Sequence, residues 1–125
     1  MEAKELMENI VKVLDSKKAK DIRVIRIGDL TILGEYFVIA TGTSSTQVKM
    51  LADEVDYQLG EKGVQPHRVE GYHSENWIIL DYTDVIVHIF HGGNDAGIGV
   101  LVGVAVVETV NIRQQEQQIC INQCR

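Results

Sequence analysis

The feature that most constrains the fold is a short apolar run at residues 36–40, Tyr-Phe-Val-Ile-Ala. This run is rich in aromatic and β-branched side chains, which favour an extended backbone, and it is too short to be a buried helix. Because no polar residue interrupts the run, neither of its sides is suited to face water. The run therefore predicts a central strand that is buried on both faces of a sheet.

The segments on either side of this strand have the periodicity of helices. Within residues 2–18, apolar side chains recur at steps of four, as Leu6, Ile10 and Leu14. This stripe predicts an amphipathic helix. After the strand, Ser44 and Gln47 have the Ser-x-x-Gln spacing of a capping box, so a second helix is predicted to begin there and to continue to Gly60.

Four further segments have the composition of strands. Residues 22–27 alternate apolar and basic side chains, which predicts a strand with one partly solvated face. Residues 67–70, 77–80 and 85–90 are separated by turn-forming segments of hairpin length, so they predict an antiparallel meander. The resulting order of elements predicts an α+β fold, a mixed β-sheet with helices packed mainly on one face. A length of 125 residues fits one such domain.

The charge and the cysteine content exclude several classes of protein. Eighteen acidic residues against twelve basic ones leave a net charge of −6, the wrong sign for a protein that holds nucleic-acid phosphates over a broad surface. No DNA partner is expected, and a basic protein is the favoured partner. The charged N-terminus and the lack of a long apolar run predict no signal peptide and no membrane partner. Both cysteines, Cys120 and Cys124, lie near the end of the chain, so no disulfide spans the domain and a cytoplasmic location is expected.

The sequence contains few side chains suited to catalysis. The turn at residues 42–44, Gly-Thr-Ser, offers backbone N–H groups for a phosphate, so a nucleotidyltransferase-like, nucleotide-binding enzyme is the alternative function. Such an enzyme needs paired carboxylates for Mg²⁺, and the chain contains neither Asp-x-Asp nor Glu-x-Glu.

His88 and His91 project to opposite faces of a strand, so His88 is predicted to be a hydrogen-bonded core or edge residue. The glycines of residues 92–99 miss the G-x-G-x-x-G spacing. We therefore predict no catalytic, cofactor-binding or metal-binding residue and no cofactor.

The predicted meander contains the clearest candidate for a binding site. Side chains alternate along a strand, so Trp77 and Asp81 share one face and Tyr82 belongs to the other. If the helices cover the face of Tyr82, then Trp77 and Asp81 lie on the open face, with Glu70 and Asp84 at its border. An aromatic anchor among carboxylates suits a basic protein partner. The same pattern is equally consistent with a tryptophan that completes the core and with acids that are merely solvated.

Residues 1–91 resemble the Iojap-related family, also called the ribosomal silencing factors. The segments that carry the resemblance keep the order and spacing of the family: KAKDI at 18–22, YFVIATGTS at 36–44, QV at 47–48, ADEV at 52–55, VEG at 69–71 and WIILDYTDVIVHIF at 77–90. The resemblance implies a nucleotidyltransferase-like fold without catalytic carboxylates, and a protein that is not an enzyme.

The resemblance also implies a partner and a mechanism. Members of this family bind the large ribosomal subunit through its fourteenth protein, block joining of the small subunit and so repress translation. They are often homodimers when free. The family's contact surface includes the glutamate of the Glu-Gly motif, here Glu70, and the Trp and Asp of the meander, here Trp77 and Asp81. Together with Tyr82 and Asp84, these are the residues expected to bind the basic ribosomal protein.

The resemblance stops after His91. We therefore expect a core domain at residues 1–91 and an atypical C-terminal segment at residues 92–125, attached to the same domain. A shift of reading frame near residues 98–102 is one origin for this segment. The other is a genuinely diverged tail, in which the alternating valines of residues 100–106 form a strand and the Gln-rich residues 114–123 form a polar segment or a weak helix.

Overall fold

The computed structural model describes residues 1–26, 35–73 and 76–92. Within these residues the chain forms two helices and five strands in the predicted order: α1 (Ala3–Ser16), β1 (Lys20–Arg26), β2 (Tyr36–Gly42), α2 (Ser45–Glu61), β3 (Arg68–Glu70), β4 (Trp77–Asp81) and β5 (Val85–His91). Each observed boundary lies within two residues of its prediction. The strand expected at residues 100–106 and the segment expected at 114–123 lie outside the described residues.

The five strands form one mixed sheet in the order β1-β2-β5-β4-β3. The central pair, β2 and β5, is parallel, and the other three pairs are antiparallel. The predicted meander is thus β3, β4 and β5 in sequence, and β2 pairs with its far side. This arrangement confirms the α+β fold, and it leaves β1 and β3 as the two edge strands.

Both helices pack on the same face of the sheet, as predicted. The buried cluster on this face, which we call the helix face, is made of aliphatic side chains with one tyrosine. Its members come from α1, α2, the three central strands and the turn between β4 and β5: Leu6, Ile10, Val13, Leu14, Val38, Ala40, Val48, Leu51, Ala52, Val55, Leu59, Ile78, Leu80, Tyr82, Val85, Val87 and Ile89. Fully burying one such side chain contributes roughly 1.5–3 kcal/mol, so this cluster is the main source of hydrophobic stabilisation.

The opposite side of the sheet, which we call the Trp77 face, is buried at its centre as well. The continuous run of β2 explains this, because Phe37 and Ile39 belong to the Trp77 face while their neighbours Val38 and Ala40 belong to the helix face. All four side chains have no exposed surface. The prediction of a strand buried on both faces is confirmed.

The start of α2 joins the sheet to the helices at close range. Ser44 is the N-cap, and its Oγ accepts a hydrogen bond from the backbone N–H of Gln47 at 3.1 Å. Gly42, two residues before the cap, has no room for a side chain, since an added Cβ would lie 3.0 Å from a methyl group of Val48. The predicted cap is confirmed, and the glycine allows the helix to pack tightly on β2.

No helix within the described ranges is both long enough and apolar enough to cross a membrane.

Candidate partner-binding site

The strand register brings Glu70, Trp77 and Asp81 to one face of the sheet. Glu70 of β3 lies directly opposite Ile79 of β4, and Trp77 and Asp81 are the residues two positions before and after Ile79. Glu70 is therefore diagonal to both, at a distance of about 7–8 Å between Cα atoms. Three of the five residues predicted from the sequence thus lie together on the Trp77 face.

Trp77 is half-buried, and contacts with Phe90 and His88 fix its side chain in place. Its ring stacks on Phe90 of the neighbouring strand, with 5.1 Å between ring centroids and an angle of 22°. Its indole Nε1 donates a hydrogen bond to Nδ1 of His88 at 3.0 Å. A tryptophan fixed in this way offers a large contact area with little loss of conformational freedom on binding.

His88 has no exposed surface and lies among aromatic rings. Its ring packs edge-on against Phe37, with 5.4 Å between the centroids. Burial lowers the pKa of His88 to about 3, so the ring is neutral near pH 7. Because Nδ1 accepts the bond from Trp77, the proton of the neutral ring is on Nε2. The prediction of a hydrogen-bonded core histidine is confirmed.

Asp81 belongs to the Trp77 face but is not open to solvent. Only 4% of its surface is exposed, so the expectation that it shares an open surface with Trp77 is wrong. Its Oδ1 accepts a hydrogen bond from the backbone N–H of Thr83 at 2.8 Å. Thr83 has a φ of 73°, which is a costly conformation for a β-branched residue. Asp81 therefore stabilises the turn between β4 and β5, in addition to any contact that it makes with a partner.

The other two predicted residues are Tyr82, which lies on the opposite side of the sheet from Trp77, and Asp84, which lies in the turn at the end of the Trp77 face. Tyr82 is 7% exposed and packs in the helix face, where its hydroxyl has no hydrogen-bond partner among the described residues. Burial, and to a smaller extent the nearby Asp56 carboxylate, raises the pKa of Tyr82. Asp84 is exposed in the turn, and its carbonyl oxygen accepts bonds from the N–H groups of Glu35 and Tyr36 at 2.7 and 3.1 Å. The structure does not bring Tyr82 together with Trp77.

Arg68 is a residue of this face that the sequence did not predict. It lies directly opposite Asp81 in the pairing of β3 with β4, and its Nε is 3.6 Å from the Glu70 carboxylate. The charge around Trp77 is therefore mixed rather than purely acidic. The strand register decides which residues are neighbours here, and nothing in the local sequence specifies it.

The phosphate-binding possibility at the start of α2 is weakened by the bonds made there. The N–H of Thr43 donates to Oε1 of Gln47 at 2.6 Å, and the N–H of Gln47 donates to Ser44. Two of the donors that a phosphate would need are therefore engaged by side chains. The residues that the structure describes contain no group of three or more His, Cys, Asp or Glu side chains able to hold a metal ion.

The fold and the Trp77 face define the class of protein: an α+β domain whose mixed sheet presents a partly exposed aromatic surface. A family model, "Ribosomal silencing factor during starvation", matches residues 1–94. The chain belongs to this ribosomal silencing factor family, whose Iojap branch includes plant organellar proteins. It is a family of non-enzymatic ribosome-binding factors.

Individual relatives and a solved structure agree with this membership. The ribosomal silencing factor of Halalkalibacterium halodurans is 33% identical over 91 residues, which cover 73% of this chain and 78% of that protein. The corresponding factor of Chromobacterium violaceum is 38% identical over 89 residues, covering 71% of this chain and 73% of that protein. A crystal structure from Chromobacterium violaceum superposes with a TM-score of 0.70 at 37% identity, covering 73% of this chain and 76% of that one. The α+β fold is thus that of a crystallographically known relative.

Proposed function

We propose that this protein silences translation by occupying the large ribosomal subunit. In this proposal it binds the fourteenth protein of that subunit at the face that meets the small subunit, and it blocks subunit joining by steric occlusion. The mechanism needs no chemistry. A folded domain of about 90 residues has a radius of gyration of about 12 Å, which is large enough to obstruct a contact between two subunits.

The observation that carries the proposal is the presentation of Trp77 beside Glu70 in a member of this family. Trp77 is half-buried and anchored by a hydrogen bond, and an anchored aromatic side chain is the typical centre of a protein interface. The net charge of −6 favours approach to a basic protein. The proposed contact set is Glu70, Trp77 and Asp81, with Asp84 at its end; Tyr82 acts only through packing.

The proposal includes the setting of this activity. The site of action is the cytoplasm, where free subunits meet. When it is not bound to a subunit, the protein forms a homodimer. The binding unit is the domain of residues 1–91. Residues 92–125 are an appended segment that is not needed for this binding.

A subunit-joining assay tests the function and the site together. Wild-type protein should sediment with large subunits and reduce the yield of joined ribosomes. Trp77→Ala should weaken binding by roughly 30-fold, the effect of losing about 2 kcal/mol at an interface hot spot. Asp81→Asn is the suitable probe of the carboxylate charge, because its amide oxygen can still accept the bond from Thr83.

The matched control is Tyr57→Ala on α2. Tyr57 is 66% exposed and lies on a helix away from the Trp77 face, so its removal should leave subunit binding unchanged. Wild type that does not bind large subunits would disprove the function. Full inhibition of joining by the Trp77→Ala variant would disprove the site while leaving the function intact.

A further inference from the structure

The basic residues of this acidic chain are concentrated next to one edge of the sheet. Residues 17–26 contain five of the twelve basic residues and one acidic residue, a local charge of +4. The rest of the chain therefore has a net charge of −10, which together with this +4 gives the total of −6. These ten residues include all of β1, which is the edge strand farthest from β3.

Three of these basic side chains are exposed and form no ion pair with the residues that the structure describes. Lys18, Lys20 and Arg23, which we call the basic edge, are all solvent-exposed. In the part of the chain that the structure describes, none of the three takes part in an ion pair, whereas Lys17 lies 4.0 Å from the Glu54 carboxylate. Unpaired surface cations keep their full attraction for an external anion, since no internal partner must be displaced.

Two residues of the basic edge, Lys20 and Arg23, belong to the same face of the sheet as Trp77. Lys20 pairs with Thr41, Thr41 with Phe90, and Phe90 with Trp77, so Lys20 and Trp77 are the two ends of one row across four strands. Arg23 begins the next row, which ends at Glu70. Three strand spacings of about 4.8 Å separate Lys20 from Trp77 by about 14 Å.

A bulge in β1 gives the basic edge its local shape. The register shifts between Lys20 and Arg23, and Asp21 within the bulge has a φ of 51°. The Thr41 hydroxyl lies 3.5 Å from the Asp21 carboxylate and 3.0 Å from the carbonyl oxygen of Lys20. A bulge re-aims the side chains next to it, and here those side chains are the two cations that flank it.

We propose that the basic edge binds the phosphate backbone of ribosomal RNA next to the protein that Trp77 contacts. This inference rests on the proposed function, because Trp77 must be seated on the large subunit for the basic edge to reach RNA about 14 Å away. An acidic protein is repelled by a phosphate-rich surface unless its few cations meet the phosphates. The separation of charge along one face gives the protein an orientation on the subunit, with its aromatic, mixed-charge end on protein and its basic end on RNA.

The test compares two charge-neutralised variants at several salt concentrations. The Lys20→Gln, Arg23→Gln variant removes two cations of the basic edge. The Lys4→Gln, Lys12→Gln variant makes the same change of net charge at two exposed positions of α1 and is the matched control. Binding is measured to intact large subunits and to the isolated fourteenth protein of that subunit.

The basic-edge variant should bind large subunits on the order of tenfold more weakly at about 0.1 M salt, with a salt dependence shallower by roughly one unit of slope for each lost phosphate contact. Its binding to the isolated ribosomal protein should not change, and the control should behave as wild type in both assays. Unchanged melting temperatures confirm that all variants are folded.

Five outcomes would overturn the inference. An unchanged salt slope, or an equal loss in the control variant, would exclude a phosphate contact at this edge. An equal loss on the isolated ribosomal protein would mean that the edge binds protein. A changed association state in sedimentation, with subunit binding intact, would mean that the edge binds a second copy of the chain. If wild type itself fails to bind subunits, the proposed function falls and this inference falls with it.

Discussion

The two faces of the sheet are built from the same strands but have different chemistry. Every buried residue on the helix face is apolar apart from the hydroxyl of Tyr82. The buried polar or charged residues found in the described part of the chain, Thr41, Asp81 and His88, all belong to the Trp77 face. Burying polar groups costs free energy unless they are hydrogen-bonded, so a face that served folding alone would have no need of them. The helix face therefore supplies stability, and the Trp77 face holds side chains in fixed positions.

The largest effect should come from opening a cavity in the helix face. Leu51 of α2 has no exposed surface, and Leu51→Ala should lower the free energy of unfolding by about 3 kcal/mol, measured by urea denaturation. Tyr57→Ala on the exposed side of the same helix is the control and should change stability by less than about 0.5 kcal/mol. A loss below about 1 kcal/mol for Leu51→Ala would contradict the assignment of the helix face as the main core.

A smaller effect, specific to the Trp77 face, should appear on acidification. His88 has a pKa of about 3 when folded and about 6.5 when unfolded, so between these values the unfolded chain binds a proton that the folded chain does not. Stability should therefore fall as the pH drops through 6.5. This one group should lower the free energy of unfolding by about 2 kcal/mol between pH 7 and pH 5.

His88→Phe isolates that contribution, because all other titrating groups remain in the variant. The phenyl ring keeps the aromatic packing against Phe37 and Phe90 but removes the acceptor for the Trp77 indole. The variant should lose about 2 kcal/mol of the pH dependence, and its indole N–H resonance should shift in NMR spectra. The same pH dependence in variant and wild type would show that His88 is not held neutral by the fold.

The smallest effect is expected at the polar atom of the helix face. The Tyr82 hydroxyl is buried and has no hydrogen-bond partner among the described residues, so Tyr82→Phe removes a group that folding had to desolvate. Stability should be unchanged or should rise by up to about 1 kcal/mol, measured by thermal unfolding. A loss of more than about 1 kcal/mol would reveal a partner for this hydroxyl and would weaken the contrast between the two faces.

The local elements could be read from the sequence because their signals are local. The apolar run of β2, the capping residues Ser44 and Gln47, and the stripe of α1 each specify their own element within a few residues. The alternation along β4 also separated Trp77 from Tyr82 correctly. The exposure of Asp81 was not predictable in this way, since its burial depends on what the rest of the chain packs around it.

The sequence does contain one local signal for the role of Asp81 that the sequence analysis did not use. Asp81 and Thr83 have the spacing of an Asx turn, in which a carboxylate accepts a bond from the backbone two residues later. This spacing would have indicated a structural role for Asp81 in the turn between β4 and β5. The hydrogen bond from Trp77 to His88, eleven residues apart, had no comparable signal.

The sequence by itself determined the elements, the α+β class and the alternation of side chains, because these depend on residues close together in the chain. Only the tertiary structure decided that Trp77 meets His88 and that Glu70 lies diagonal to Trp77. It also decided that Lys20 lies at the other end of the row of paired residues that contains Trp77. These contacts depend on strand order and register. Shifting one strand by a single residue would move each of its side chains to the other face, and long-range packing selects the register that is observed.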